Sequence, residues 1–138
     1  TGGTIMGFYH YFSHLNDNFK AFPILPLKNT DAGHRIEGIG DSFIPEILDL
    51  EALDPVFRVN DKDAINIARQ MNKLGLSVGI SSGANVFGAL SKSVEDSNSI
   101  IGTILCDDNK KYLSTDLCSD SVEELSRDIK ILNYTRIT

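Results

Sequence analysis

At 138 residues the chain has the length of one ordinary domain, enough to bury a core and too short for two. An apolar fraction of 41% and a charged fraction of 23% fit a globular protein, and no stretch reaches the roughly 18 to 20 apolar residues of a membrane span. Thirteen basic against nineteen acidic residues leave a net charge of -6, with no Lys/Arg run longer than Lys110 and Lys111, so neither nucleic acid nor a membrane is an expected partner.

In chain order, TGGTIMG opens the sequence with two glycines between threonines. Ile5, Phe8, Phe12 and Leu15 then recur at three- and four-residue steps, the apolar stripe of a helix that ends near Asn16, Asp17 and Asn18. Residues 20–27 (KAFPILPL) read as a short strand, which Pro23 and Pro26 push to an edge or a strand end because proline donates nothing to a ladder. Residues 28–41 are polar and punctuated by glycine, a loop that ends in GIGDSF. A short turn or helix follows Pro45, and Val56 to Val59 read as a strand after Pro55.

Asn60 is placed to cap a helix with the inward stripe Ala64, Ile67, Ala68, Met71 and Leu74, and Gly75 stands where a left-handed terminal residue belongs. Ser77 to Ile80 (SVGI) predict a strand, Ser81 to Gly83 a tight polar turn, and Val86, Phe87, Leu90 and Val94 another helix. Ser99 to Cys106 (SIIGTILC) predict a second strand, apolar enough to be buried on both faces. Ser121 and Glu124 have capping-box spacing at the head of a last helix reaching about Ile131. Strands alternating with helices predict an α/β chain with a mainly parallel sheet, whose ligands gather where strands feed helices.

Two turns have that form. Gly2 and Gly3 let backbone amides approach an anion without Cβ interference, and the helix dipole and threonine hydroxyls add to the attraction, so phosphate is the natural guest. A plain tight connection accounts for the same two glycines. No G-x-G-x-x-G or P-loop is present: Gly83 to Gly88 copy the P-loop spacing, but Ala89 and Leu90 stand where lysine and a hydroxyl are needed. Ser81 and Ser82 equally suit simple helix caps. His10 and His14 are four apart without a third ligand, and His34 suits the surface as well as a site, so no metal site is expected. Cys106 and Cys118 lie twelve apart with no zinc spacing and no visible signal peptide, and read as reduced thiols in the cytoplasm. Asp107, Asp108 and Asn109 read as turn residues at a strand exit. Asp41 differs, an acid in a glycine-rich loop between Ile39 and Phe43, poised at whatever that loop covers.

Five segments in order, TGGTIMG, HRIEGIGDSFIPEILD, DKDAINIARQ, GISSGANV and DDNKKYLSTDL, resemble the fold type II pyridoxal-phosphate enzymes that make or rework cysteine: O-acetylserine sulfhydrylase (cysteine synthase) and cystathionine β-synthase. The resemblance covers nearly all of residues 1–118 and implies the C-terminal, phosphate-loop-bearing part of that fold, a mainly parallel sheet flanked by helices, with residues 119–138 as a helical tail. It implies pyridoxal 5'-phosphate as cofactor. Thr1, Gly2, Gly3 and Thr4 match a G-T-G-G-T phosphate loop without its leading glycine. Ser81 matches the hydroxyl that bonds the pyridine nitrogen, and Gly38, Ile39 and Gly40 match the loop on the substrate side. A serine opposite that nitrogen, rather than a carboxylate, makes the ring a weaker electron sink and suits elimination at Cβ followed by addition of a nucleophile.

The implied activity is β-replacement or β-elimination on O-acetylserine, serine or cysteine, with an amino acid and sulfide or a thiol as small-molecule partners and a homodimer as the assembly. None of the eight lysines has a context resembling the family's Schiff-base lysine, which is expected in an N-terminal half upstream of Thr1, and this chain alone is expected to be inactive. The loop before GIG is shorter than in typical cysteine synthases, and Asp41 and Ser42 replace small residues there. Asp41 near Cβ then suits a general base, favouring cysteine breakdown or a larger nucleophile as in cystathionine β-synthase. A non-catalytic binding module of the same ancestry, or an α/β domain for another small anion, stands as the alternative.

Overall fold

The computed structural model describes residues 2–27, 34–36, 38–40 and 43–118. Thr1, Asp41, Ser42 and the expected helix over residues 121–131 lie outside them. Helix α1 (Gly3–Ser13) begins at Gly2, whose φ of 80° is left-handed, and its last bonds run from the N–H groups of Leu15 and Asn16 to the Phe12 carbonyl at 3.0 Å, close to the expected end near Asn16, Asp17 and Asn18. Strands β1 (Ile24–Pro26) and β2 (Phe57–Val59) pair in parallel, with Ile24 opposite Phe57 and Pro26 opposite Val59. Pro26 sits at the end of β1, where its missing donor costs nothing, and Leu27 N–H continues the ladder to the Val59 carbonyl at 2.7 Å.

Helix α2 (Asp61–Lys73) follows directly. The Asn60 side chain accepts from the Asp63 N–H at 2.8 Å and donates to the Asp63 carboxylate at 2.6 Å, a reciprocal cap that holds the first turn closed. At the other end Gly75 has φ 88°, with Leu76 N–H bonded to the Met71 carbonyl and Gly75 N–H to that of Asn72, both at 3.0 Å. This is the paired termination that only a left-handed residue permits.

Helix α3 (Ile80–Glu95) absorbs Ser81 to Gly83 into its first turn, which corrects the expected polar turn. It crosses α2 so closely that a Cβ on Gly83 would run into the Ala64 carbonyl and the Ala68 side chain. Its other flank meets the sheet, where Phe87 packs on Phe57 with ring centroids 6.3 Å apart. Val59, Ala64, Ile67, Ala68, Ala84 and Phe87 form the centre of the core, joined by Ile36 from the loop. That loop is tied down by Arg35, which pairs with Asp116 and donates its N–H to Asp61 at 3.0 Å.

The expected strands over residues 77–80 and 99–106 form no ladder among the described residues. The Asn72 side chain takes both backbone groups of Val78, donating to its carbonyl and accepting from its N–H at 3.0 Å each, so a side chain does the work of a neighbouring strand. The run from Ile100 to Leu105 was expected to be buried on both faces. Instead Ile100, Ile101, Ile104 and Leu105 are exposed, and no strand among the described residues lies beside them. Among the described residues no helix is long and apolar enough to cross a membrane.

Candidate functional site

The two turns singled out in the sequence have opposite character. At the head of α3 the cap residue is Gly79, which brings no side-chain acceptor, yet the first-turn amides are not open. Asp107 reaches in from 25 residues downstream: its carboxylate accepts from Ser82 N–H at 2.8 Å and Ser81 N–H at 3.2 Å, and from the Ser82 hydroxyl. Tyr112 donates its phenol to the same carboxylate at 2.8 Å, and Gly79 N–H bonds the Asp107 carbonyl at 3.0 Å. Burial works to raise the Asp107 carboxyl, but the hydrogen bonds from Ser82, Ser81 and Tyr112 outweigh it and hold the group below the usual carboxylate range. This helix terminus already has its anion.

At the head of α1 there is no such occupant among the described residues: no side chain of theirs caps the first turn, and a Cβ placed on Gly3 would find nothing within 4 Å. Gly2 lies against Leu48, 3.0 Å from where its own Cβ would stand, and its carbonyl accepts from Met6 N–H at 3.0 Å. The amides ahead of that bond, with the helix dipole behind them, form an open donor set for an anion.

Ser81 is buried in the first turn of α3 with its hydroxyl 3.1 Å from Cys106 Sγ. Gly38 and Gly40 both have left-handed φ, 82° and 77°, and Gly40 lies against Pro26 at the end of β1, with His34 Nε2 3.5 Å from where its Cβ would be. Ile39 packs on the core between them. No hydrogen bond among the described residues joins Gly2 or Gly3, Ser81 and the Gly38 to Gly40 loop to one another. Three residues around Ser81 had no role in the site assigned from the sequence: Cys106, expected as a reduced thiol, Asp107, expected as a turn residue, and Tyr112. For Asp107 and Tyr112 the available signal was their place in the DDNKKYLSTDL segment. Among the described residues no cluster of His, Cys, Asp or Glu suits a metal ion, and both cysteines are free.

No family model matches the chain. Cysteine synthase B of Campylobacter jejuni is 44% identical over 95 residues, which are 64% of this chain and 32% of that protein. Among solved structures, the hydrogen sulfide-producing enzyme of Fusobacterium nucleatum superposes with a TM-score of 0.78 at 48% identity, over 84% of this chain and 37% of that one. The chain belongs to the cysteine synthase family of fold type II pyridoxal-phosphate enzymes.

An Asp-to-Asn variant of the same hydrogen sulfide-producing enzyme, complexed with an α-aminoacrylate intermediate, matches with a TM-score of 0.82 at 44% identity, over 92% of this chain and 40% of that one. The chain spans about a third of the length of the curated cysteine synthase it matches. Within this family-level fold, an α/β arrangement with a parallel sheet flanked by helices, the first turn of α1 carries no side-chain cap among the described residues and that of α3 is capped by Asp107.

Proposed function

We propose that residues 1–118 are the phosphate-loop-bearing, C-terminal portion of a pyridoxal 5'-phosphate enzyme that replaces or eliminates a substituent at Cβ of O-acetylserine, serine or cysteine, with residues 119–138 as its tail. The observation that carries this reading is the uncapped first turn of α1 behind left-handed Gly2, in a chain of the cysteine synthase family. The residues present fit the cofactor. Its phosphate suits the amides of Gly3 and Thr4, with the hydroxyls of Thr1 and Thr4 as further donors on this reading, and not the head of α3, where the Asp107 carboxylate would repel it.

When bound, the cofactor supplies the electron sink that lets the Cα proton and then the Cβ substituent depart. The chain's own residues bind and orient it. Ser81 offers a hydroxyl to the ring nitrogen, and Gly38, Ile39 and Gly40 line the substrate side from the end of β1. The Schiff-base lysine belongs to an N-terminal half, and the partners are an amino acid with sulfide or a thiol, in a cytoplasmic homodimer.

The likeness to a hydrogen sulfide-producing enzyme supports a second reading, in which cysteine breakdown dominates. Asp41 is then the general base, taking a proton from the attacking thiol or water as it adds at Cβ. That an Asp-to-Asn variant of the similar enzyme holds an α-aminoacrylate intermediate is consistent with an aspartate serving the step that consumes such a species.

The test is to assay the full-length protein, saturated with pyridoxal 5'-phosphate, on O-acetylserine with sulfide and separately on cysteine alone. Faster turnover of the first pair supports synthesis; faster sulfide release from cysteine, abolished by Asp41→Asn, supports breakdown. Failure to bind the cofactor would remove both readings.

A further inference from the structure

The Ser81 hydroxyl has one proton and two lone pairs, so its neighbours decide whether it meets a ligand as donor or acceptor. Its Oγ lies 3.1 Å from Cys106 Sγ, a contact in which either atom is able to donate. Asn85, one turn along α3, bears on the direction: its Nδ2, a donor only, lies 3.8 Å from the same sulfur and 3.0 Å from the Ile104 carbonyl. With one lone pair of Sγ taken by Asn85, the thiol proton is available to Ser81. The backbone below is fixed by the next residue, since Asp107 accepts from the N–H groups of both Ser81 and Ser82.

We propose that Cys106 is a positioning residue for Ser81: its thiol donates to the Ser81 oxygen and so leaves the hydroxyl proton free for an outward acceptor. That acceptor is the ring nitrogen of the cofactor, so the proposal rests on the reading of Ser81 given above. Cys106 acts through Ser81 alone. A hydroxyl at position 106 preserves the arrangement, whereas a methyl group leaves the Ser81 rotor undirected.

The experiment uses the full-length protein with Ser81→Ala, Cys106→Ala, Cys106→Ser and the Ser81→Ala/Cys106→Ala pair. Each is measured for its dissociation constant for pyridoxal 5'-phosphate, the absorption maximum of the bound cofactor, and its thermal midpoint. Ser81→Ala is expected to weaken binding about three- to tenfold, the scale of one hydrogen bond. Cys106→Ala should weaken it in the same direction and shift the absorption maximum, Cys106→Ser should restore both, and the double variant should be no worse than Ser81→Ala. If Ser81→Ala changes neither affinity nor spectrum, the reading of Ser81 fails and this proposal with it. If Ser81→Ala acts while Cys106→Ala does not, or the two losses simply add, or Cys106→Ser behaves as alanine does, the reading of Ser81 stands and the positioning role alone is overturned. The thermal midpoints separate either outcome from loss of fold.

Discussion

The Asp107 carboxylate accepts the backbone N–H of Ser82 at 2.8 Å, closing the first turn of α3 from a segment 25 residues away. It thereby substitutes for the side-chain cap that Gly79 lacks. Asp107→Asn keeps the shape but loses the charge and one acceptor, and we expect it to cost about 1 to 3 kcal/mol of unfolding free energy, read from the midpoint of urea denaturation. Asp107→Ala should cost more, since Tyr112 and Ser82 would then both lose an acceptor. A loss no larger than that of an ordinary surface substitution would show that the cap carries no weight.

The same carboxylate sets a pH dependence. Its folded value lies below the ordinary 3.8, so between the two values the unfolded chain binds the extra proton, and stability rises with pH across that window. The contribution is present in full above the unfolded value and is lost as pH falls through the folded one. In acid titrations of unfolding free energy, the wild type should therefore fall more steeply below about pH 4 than Asp107→Asn does. Parallel curves would contradict the assignment.

These relationships divide what the sequence discloses from what it hides. The limits of α2 were readable because both signals are local: Asn60 bonds Asp63 three residues on, and Gly75 closes the helix within one turn. Two strands were misread for the opposite reason. An apolar run says that Val78 or Ile104 wants pairing, not what provides it; here the Asn72 side chain satisfies Val78, and Asn85 satisfies the Ile104 carbonyl. Asp107 looked like a turn residue because nothing within a few positions reveals that Ser81 and Ser82 await it. The family resemblance points to Ser81 and the glycines, yet the contacts of Ser81 with Cys106 and Asp107 came only from the structure.

The crossing of α2 and α3 gives a third prediction. A Cβ on Gly83 would overlap the Ala64 carbonyl, and backbone cannot swing aside as a flexible side chain does. Gly83→Ala should force the helices apart and cost about 1 to 3 kcal/mol or more, in spite of alanine's better helix propensity. Because Ser81 and Ser82 sit on the displaced turn, cofactor affinity of the full-length protein should fall as well. An unchanged urea midpoint would mean that the two helices are free to part without penalty.

Gly3 separates fold from function more cleanly. It lies inside α1 with open space around it, so Gly3→Ala meets no obstacle and gains helix propensity, and stability should hold or rise by up to about 1 kcal/mol. If the first turn of α1 seats the cofactor phosphate, the new methyl group intrudes where backbone amides need close approach, and the dissociation constant for pyridoxal 5'-phosphate should rise about tenfold, a cost of about 1.4 kcal/mol. Gly2→Ala should lose both properties, since φ 80° disfavours a side chain and Leu48 fills the space. Equilibrium dialysis alongside urea denaturation distinguishes the cases. A Gly3→Ala protein that is stable and binds cofactor as the wild type does would place the phosphate somewhere other than the head of α1.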